Sequence, residues 1–197
     1  ESAAALTVSA GGAELNVAIH LARLGVPVRY AGRVGDDPFG RRLRATLERE
    51  GVDVSALDFD ASLPTGLYLK EPGDAGTAVH YYRHGSAAAS LGRLADAALD
   101  GVAHVHVTGI LPAISIAGRE LAHRLLVDRG SRTVSFDVNY RSGLWSRATA
   151  GPLLLEMAQL ADVAFVGLDE AAALWDAREA GAVRALLSRP AELVVKD

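Results

Sequence analysis

The strongest constraint on the fold of this chain is a regular alternation between segments with helical periodicity and short apolar runs typical of strands. Residues 14–24 and 38–50 place apolar side chains at helical spacing, a strand-like run at residues 26–34 separates them, and Gly25 and Gly51 follow the two helices. The alternation continues with strands predicted at residues 101–109, 133–138, 163–166 and 193–195, and helices at residues 116–129 and 152–160. Because helices that connect parallel strands cover the faces of their sheet, the sequence predicts an α/β fold with a mainly parallel sheet flanked by helices.

One stretch interrupts this alternation and predicts a small antiparallel sheet. Residues 65–71 and 77–82 are rich in residues that favour strands, and the segment between them contains a proline and two glycines. This pattern is typical of a β-hairpin, and residues 6–9 could add a third strand to it. We therefore expect a small antiparallel sheet that projects from the main layer, in place of a second core.

The composition excludes several classes of function. The 197 residues are half apolar and carry 20 basic and 24 acidic side chains, a net charge of -4, and neither sign forms a run that would suit nucleic acid or anionic lipid. No apolar stretch approaches the roughly 20 residues that a membrane span requires. The chain contains no cysteine, which removes disulfides and thiolate metal sites and fits a reducing compartment. We therefore expect a cytoplasmic protein without nucleic-acid or membrane partners.

Two glycine-containing motifs lie in the first forty residues. Gly11 and Gly12 directly precede the first predicted helix, with Asn16 one turn later. Glycine lets a ligand approach the backbone closely, and the free N–H groups of a first helical turn can bind hydroxyls or anions. A glycine pair alone is more often a plain turn, but the segment Gly-Arg-Val-Gly-Asp-Asp-Pro-Phe-Gly follows at residues 32–40. The two motifs, in this order and spacing, resemble the first signature of the ribokinase-like sugar kinases.

Further segments extend this resemblance over nearly the whole chain, namely residues 64–68, 81–87, 108–110 and 135–141. Together they are most similar to the 2-keto-3-deoxygluconate kinases. The resemblance implies that residues 1–197 form one incomplete ribokinase-like, Rossmann-type α/β domain, with a β-lid formed by about residues 4–12 and 63–84. It also implies that the following residues hold the sugar acid: Gly12, Asn16, Tyr68, Tyr81, Arg83, Ile110 and Arg141.

The residue types in this set suit a sugar acid better than a neutral sugar. A substrate with one carboxylate and several hydroxyls matches guanidinium groups, which form paired charge-assisted hydrogen bonds, and phenols, which donate or accept. Alternation along a strand also directs Tyr81 and Arg83 to one face and Tyr82 to the other. Without the neighbouring motifs, the same three residues would describe an ordinary edge strand with a solvated arginine.

A polar segment follows the strand predicted at residues 133–138, where open α/β sheets build their ligand crevices. It contains Asp137, Asn139 and Arg141. The resemblance places Asp137 and Asn139 near the transferred phosphate. The alternative is an Asx-turn in which the acid or the amide caps local backbone and Arg141 is exposed.

Glu170 follows the strand predicted at residues 163–166. The resemblance implies that this glutamate organises Mg²⁺ and phosphate through water, although Gly167 stands where the family commonly has an asparagine. The alternative is that Glu170 simply favours the positive end of a helix dipole. We predict no direct metal ligand, and the six histidines show no zinc-binding spacing.

The sequence lacks the motif expected to carry the catalytic base. Ribokinase-like kinases take their base and an anion hole from a Gly-Ala-Gly-Asp motif, and no Gly-x-Gly-Asp occurs in these residues. The resemblance therefore implies a base beyond Asp197, in a kinase that transfers the γ-phosphate of ATP to 2-keto-3-deoxygluconate with Mg²⁺. Separately, a lid of exposed strands favours a homodimer through paired lids. The alternatives are a kinase for fructose, ribose or another sugar, and a noncatalytic sugar-acid-binding module.

Overall fold

The computed structural model describes residues 6–73 and 76–197, whose strands form three sheets: one parallel with four strands, one parallel with two, and one antiparallel with two. The helices are α1 (Ala13–Arg23), α2 (Pro38–Arg49), α3 (Ile110–Ile114), α4 (Ile116–Val127), α5 (Arg147–Leu160), α6 (Leu168–Trp175) and α7 (Ala180–Leu186). The strands are β1 (Gly32–Gly35), β2 (Leu57–Asp60), β3 (Leu67–Gly73), β4 (Gly76–Tyr82), β5 (His104–Thr108), β6 (Thr133–Asp137), β7 (Val163–Gly167) and β8 (Glu192–Lys196). No helix among the described residues is both long enough and apolar enough to cross a membrane.

The four-stranded sheet carries the larger core and brings four strand ends to one edge. Its strands run parallel in the order β5-β6-β7-β8, as the alternation predicts. Val134 and Phe136 of β6 are fully buried, as is Leu154 of α5 in the same apolar cluster. Because helical crossovers return each strand in the same direction, the carboxyl ends of all four strands lie along one edge of the sheet. These ends are Thr108, Asp137, Gly167 and Lys196.

The two-stranded parallel sheet packs with α1 and α2 around a smaller core. Leu15 of α1 and Leu47 of α2 are almost completely buried there. Helix α2 begins after Asp37, whose Oδ1 accepts hydrogen bonds from the backbone N–H groups of Phe39 at 3.0 Å and Gly40 at 2.8 Å. This capping satisfies donors that a helix start otherwise leaves unpaired.

The hairpin of β3 and β4 is the least buried of the three sheets. Every described residue of β3 is exposed, and in β4 only Tyr81 is partly buried. The strands are antiparallel and pair Tyr68 directly with Tyr81, which confirms the predicted small antiparallel sheet. The strands extend to Gly73 and resume at Gly76, closer to the turn than predicted, and residues 74 and 75 lie outside the described part of the chain.

Three sequence-based predictions differ from the structure. A third strand at residues 6–9 is wrong, because residues 6–12 form no strand and the Val8 carbonyl accepts a hydrogen bond from Arg42 instead. The strand-like run at residues 26–34 forms a strand only over Gly32–Gly35, and its partner β2 was not predicted. Helix α5 starts five residues before the predicted position, because Ser146 caps it. Residues 4 and 5 of the predicted lid lie outside the described residues.

Candidate functional site

The carboxyl edge of the four-stranded sheet carries an ion pair. Asp137, the last residue of β6, accepts hydrogen bonds from the Lys196 ammonium at the end of β8, with Nζ 2.8 Å from Oδ1 and 3.0 Å from Oδ2. The Asp137 side chain is mostly buried, whereas almost half of the Lys196 side chain is exposed. Lys196 was not among the predicted site residues. Its ion pair with Asp137 shows that this edge carries a cation as well as the predicted carboxylate.

A second charge pair lies at the same edge. Asn139 adopts a left-handed conformation, with φ at 41°, and so turns the chain after β6. Beyond that turn, Nη1 of Arg141 lies 3.4 Å from Oε1 of Glu170. Glu170 is only 7% exposed, and its Oε2 accepts the backbone N–H of Gly167 at 3.0 Å. Burial raises the pKa of Glu170 although that hydrogen bond lowers it, and the carboxylate occupies a helix N-terminus whether or not a metal binds.

The hairpin brings two tyrosines and an arginine together. The rings of Tyr68 and Tyr81 are 6.2 Å apart between centroids, and the guanidinium carbon of Arg83 lies 4.1 Å from the Tyr81 ring centroid. Stacking of this kind is a cation–π contact, and it places Arg83 and Tyr81 side by side as strand alternation predicts. Tyr82 is 62% exposed. A Cβ atom at Gly143 would lie 4.0 Å from the Tyr81 ring, so the loop after β6 approaches the hairpin.

The glycine pair lies against this hairpin. Gly12 caps α1, and its carbonyl accepts the backbone N–H of Asn16 at 2.9 Å, while the Asn16 residue is exposed one turn into the helix. A Cβ atom at Gly11 would overlap the hydroxyl oxygen of Tyr68. Glycine at this position therefore lets the Tyr68 hydroxyl lie against the N-terminus of α1, and a larger residue would require the tyrosine side chain to shift.

A partly buried chain of hydrogen bonds connects α1 to the end of β5. The Thr108 hydroxyl donates to Oε1 of Glu14 at 2.7 Å and accepts the backbone N–H of Ile110 at 3.1 Å. Ile110, predicted to line the pocket, is the first residue of α3. The sequence analysis missed Glu14, although its position gave a signal: it lies one turn before Ala18, on the face of α1 that includes buried Leu15.

The base of the hairpin is fixed by the second glycine-containing motif. Asp37, besides capping α2, accepts hydrogen bonds from the Thr65 backbone N–H at 2.7 Å and the Thr65 hydroxyl at 2.9 Å. The hydroxyl in turn accepts the N–H of Gly35 at 3.0 Å. A Cβ atom at Gly35 or Gly40 would collide with backbone in this crossing. Residues 32–40 therefore set where the hairpin leaves the body of the protein.

Among residues 6–73 and 76–197, no three acidic or histidine side chains come close enough to hold a metal ion directly. A pair of histidines and a surface depression lie apart from the predicted site residues. His104 and His106 instead share the Ser135 hydroxyl, each with a ring nitrogen 2.8 Å from Oγ. A depression of about 350 Å³ between α4 and α5 contains none of the predicted site residues. The predicted residues lie along the open edge between the hairpin and the strand ends.

The structure thus gathers the predicted site residues into two groups. One group joins the glycine pair, Tyr68, Tyr81 and Arg83, and the other joins Arg141 with Glu170 at the strand ends. Asn16 and Ile110 lie on the helices that border these groups. No hydrogen bond between described side chains connects the two groups directly.

Comparison with known proteins identifies the family. The sequence profile described as pfkB family carbohydrate kinase matches residues 2–197. The chain is 40% identical over 167 residues to a 2-dehydro-3-deoxygluconokinase of Bacillus subtilis, covering 81% of this chain and 51% of the relative. The chain thus spans about half the length of the curated relatives it matches.

Solved structures agree with this result. A PfkB protein from Polaromonas sp. JS666 is 34% identical and superposes with a TM-score of 0.82, over 93% of this chain and 65% of that one. A fructokinase from Xylella fastidiosa with bound ATP is 27% identical and has a TM-score of 0.83, over 95% of this chain and 60% of that one. The chain therefore belongs to the pfkB family of carbohydrate kinases.

Proposed function

We propose that the protein carrying this chain is a kinase that transfers the γ-phosphate of ATP to 2-keto-3-deoxygluconate. The observation that carries the proposal is the partly buried Arg83 side chain, whose guanidinium carbon lies 4.1 Å from the Tyr81 ring centroid. A neutral sugar gives no reason to desolvate a cation, whereas a carboxylate compensates its charge through two parallel hydrogen bonds. The similarity to the Bacillus subtilis kinase supports the same substrate.

Different residues of the candidate site bind different parts of the substrate. In this proposal Arg83 and Arg141 bind the carboxylate end, and the phenols of Tyr68 and Tyr81 bind hydroxyl or keto oxygens. Asn16 and the backbone of Gly12 bind further hydroxyls, because an amide and a free helical N–H are both suited to them. Ile110 supplies an apolar wall.

The strand ends form the phosphate side of the site. Magnesium bound with ATP would neutralise phosphate charge, and the carboxylates of Asp137 and Glu170 are oxygen acceptors that could organise the water molecules around this ion. Asn139 adds an amide beside them. Lys196, which lies 2.8 Å from Asp137, would provide a positive charge for an incoming phosphate. We assign these residues to binding and charge compensation, and none of them to the catalytic base.

The exposed hairpin would act as the lid. Its strands have little core of their own, so its position depends on contacts with the body at Gly11 and at Thr65. Closure over the sugar acid would exclude water, which otherwise competes with the substrate hydroxyl as phosphoryl acceptor.

A phosphorylation assay tests the proposal. ADP release by the protein carrying this chain is measured with ATP, Mg²⁺ and either 2-keto-3-deoxygluconate or fructose. We expect the catalytic efficiency to be higher for the sugar acid by at least about 10²-fold, the factor that one desolvated charge pair supplies. Equal or better turnover of fructose would contradict the proposal.

Two other functions are possible outcomes of the same assay. A kinase for a neutral sugar is favoured by the similarity to the Xylella fastidiosa fructokinase, and it predicts efficient turnover of fructose. A noncatalytic sugar-acid-binding module predicts that the sugar acid binds in calorimetry with no ADP released.

The hairpin also supports a proposal of homodimerisation. Leu69, Val79 and Tyr82 are exposed apolar or aromatic side chains on its strands, and a two-stranded sheet leaves edges that another chain can pair with. We expect sedimentation analysis to give a dimer, and Leu69→Asp to shift it toward monomer. A monomeric wild-type protein would contradict this part of the proposal.

A further inference from the structure

One face of the hairpin is turned toward the body of the protein. Residues that lie directly opposite each other in an antiparallel pair share a face of the sheet. The register pairs Tyr68 with Tyr81 and Lys70 with Val79, so these four residues lie on the same face. Because the Tyr68 hydroxyl lies against Gly11 at the start of α1, this is the face that borders the candidate site. We call it the inner face of the hairpin.

The two faces of the hairpin differ in charge. Glu71 is the only acidic residue in β3 and β4, and alternation places it on the outer face. There its Oε2 lies 3.0 Å from Nε2 of His80. Within the two strands, the inner face therefore carries a cation, Lys70, and no acid.

Lys70 extends the row of site side chains along the inner face. Its Nζ lies 6.0 Å from the centroid of the Tyr68 ring, and the Tyr68 and Tyr81 ring centroids are 6.2 Å apart. The guanidinium carbon of Arg83 lies 4.1 Å from the Tyr81 centroid. Two aromatic rings thus lie between two cations, and of these four side chains only Lys70 has no role in the function described so far.

The charge of Lys70 is not compensated by a neighbouring acid. Its side chain is exposed, and within residues 6–73 and 76–197 its ammonium forms no ion pair. The other lysine, Lys196, lies 2.8 Å from the Asp137 carboxylate. A cation without a counter-charge at the rim of a site attracts anions from solution.

We propose that Lys70 is a specificity-determining residue that attracts the carboxylate of the sugar acid to the inner face of the open hairpin, where Arg83 then binds it. The inference rests on the proposed function, because it supplies a second cation of the hairpin for the same anionic substrate. These 197 residues carry a net charge of -4, so a local positive field matters for the approach of an anion. Charges at the rim of a site act on association more than on the bound complex.

Three variants of the protein carrying this chain test the role of this charge. Lys70→Met removes the charge and keeps an unbranched side chain, and Lys70→Arg keeps the charge. Arg49→Met is the matched control, because it removes one exposed cation at the end of α2, where the guanidinium bonds only the Ala45 carbonyl and the Thr46 hydroxyl among the described residues.

The kcat and KM of each protein are measured with saturating ATP at ionic strengths of about 0.02 M and about 0.5 M, between which the Debye length falls from about 20 Å to about 4 Å. The two substrates are 2-keto-3-deoxygluconate and 3-deoxyfructose, which has a hydroxymethyl group in place of the carboxylate. KM for ATP is measured separately with saturating sugar acid.

We expect Lys70→Met to lower kcat/KM for the sugar acid about fourfold at the lower ionic strength and to leave kcat within about 1.5-fold, because the variant loses attraction at long range. At the higher ionic strength the loss should fall below about 1.5-fold, since salt screens the charge. Lys70→Arg and Arg49→Met should stay within about 1.5-fold of wild type, as should KM for ATP and every value for 3-deoxyfructose.

The outcomes distinguish this inference from the proposed function. A wild-type protein that does not prefer the acid over 3-deoxyfructose contradicts both. A wild-type preference for the acid, with kcat/KM unchanged in Lys70→Met at the lower ionic strength, overturns the role of Lys70 alone. A loss that is equal at both ionic strengths or for both sugars also overturns it, because it would indicate a structural defect of the hairpin. An equal rise in KM for ATP overturns it as well, because the charge would then act on any anion.

Discussion

The two sides of the candidate site are built in opposite ways. On the sheet side, Asp137 and Glu170 extend from strands and a helix whose neighbouring residues are completely buried. On the hairpin side, Tyr68 and Tyr81 stand on strands that are exposed along almost their whole length. The sheet residues are therefore positioned by a core, whereas the hairpin residues are positioned by contacts with other elements.

This difference indicates which side can move. Elements with few buried apolar contacts open at a low free-energy cost, and loops or lids that close over ligands are drawn from such regions. The hairpin has that character, and it contacts the body of the protein through Gly11, beside Tyr68, and through Asp37, which binds Thr65. Ligand binding would then order the hairpin against a sheet edge that is already in place.

The largest test of the comparison is the removal of apolar side chains on each side. Leu154 is 0% exposed beneath the sheet and Leu69 is 43% exposed in the hairpin. Leu154→Ala should lower the free energy of unfolding by about 2–5 kcal/mol, because it leaves a cavity, and Leu69→Ala by less than about 0.5 kcal/mol. Urea denaturation measures both, and similar losses would contradict the assignment of the core to the sheet side.

The second test compares the two arginines. Arg83→Ala should raise the Kd of the sugar acid about 30-fold, roughly 2 kcal/mol, because this guanidinium is partly desolvated. Arg141→Ala should raise it only about fivefold, because its side chain is 47% exposed and solvent screens its charge. Calorimetry measures both, with 3-deoxyfructose as the neutral control. A greater loss at Arg141 would reverse the proposed roles of the two sides.

A smaller effect is expected at the base of the hairpin. Asp37→Ala should lower the free energy of unfolding by about 1–2 kcal/mol, because it removes a helix cap together with the bonds to Thr65. Asp36→Ala is the matched control, since its ion pair with Arg41 is exposed and such pairs contribute about 0–1 kcal/mol. Amide exchange in the hairpin should accelerate in the first variant alone. Unchanged exchange would show that Asp37 does not anchor the hairpin.

The smallest expected effects are on the pH dependence of stability. Glu170 on the sheet side and Asp37 on the hairpin side should contribute to it with opposite signs. Burial raises the pKa of Glu170 above 4.5, so the unfolded chain releases this proton first and stability falls as pH rises from 4.5 toward the folded pKa. At Asp37 burial alone would raise the pKa, but hydrogen bonds from Thr65, Gly40 and Phe39 lower it below 3.8. Its stabilisation is therefore present above pH 3.8 and lost as pH falls through the folded pKa.

Denaturation midpoints measured from pH 3 to 7 check these signs. The difference between wild type and Glu170→Gln should shrink or reverse as pH rises above 4.5, and the difference between wild type and Asp37→Asn should shrink as pH falls below 3.8. If the denaturation midpoints of wild type and a variant change with pH in parallel, the substituted residue does not contribute to the pH dependence of stability.

The sequence predicted the parts of this molecule that depend on local pattern. Helical spacing before Gly25 and Gly51 located α1 and α2, and alternation located β3 and β4, because those periodicities follow from backbone geometry alone. The family prediction is confirmed by the match over residues 2–197. The short strand β2 was missed because four residues carry too little periodic signal to separate a strand from a loop.

The sequence did not predict which side chains that are distant along the chain form hydrogen bonds with each other. Lys196 and Asp137 are 59 residues apart, and Glu14 and Thr108 are 94 apart. Strand order brings the first pair together, and the packing of α1 against β5 brings the second pair together. The roles predicted for the ten site residues remain predictions. Among them, the cation–π contact of Arg83 and Tyr81 has a local signal, because Arg83 follows Tyr81 by two positions at the end of β4.

The contact between Gly11 and Tyr68 has an evolutionary consequence. Any side chain at position 11 would occupy the space of the Tyr68 hydroxyl, so neither position can be changed without regard to the other. Gly11→Ala should displace the Tyr68 hydroxyl, and it should have a smaller effect beside phenylalanine, which lacks that oxygen; this is a form of epistasis between segments 57 residues apart. The effect of a substitution at position 11 therefore depends on which aromatic residue stands at position 68.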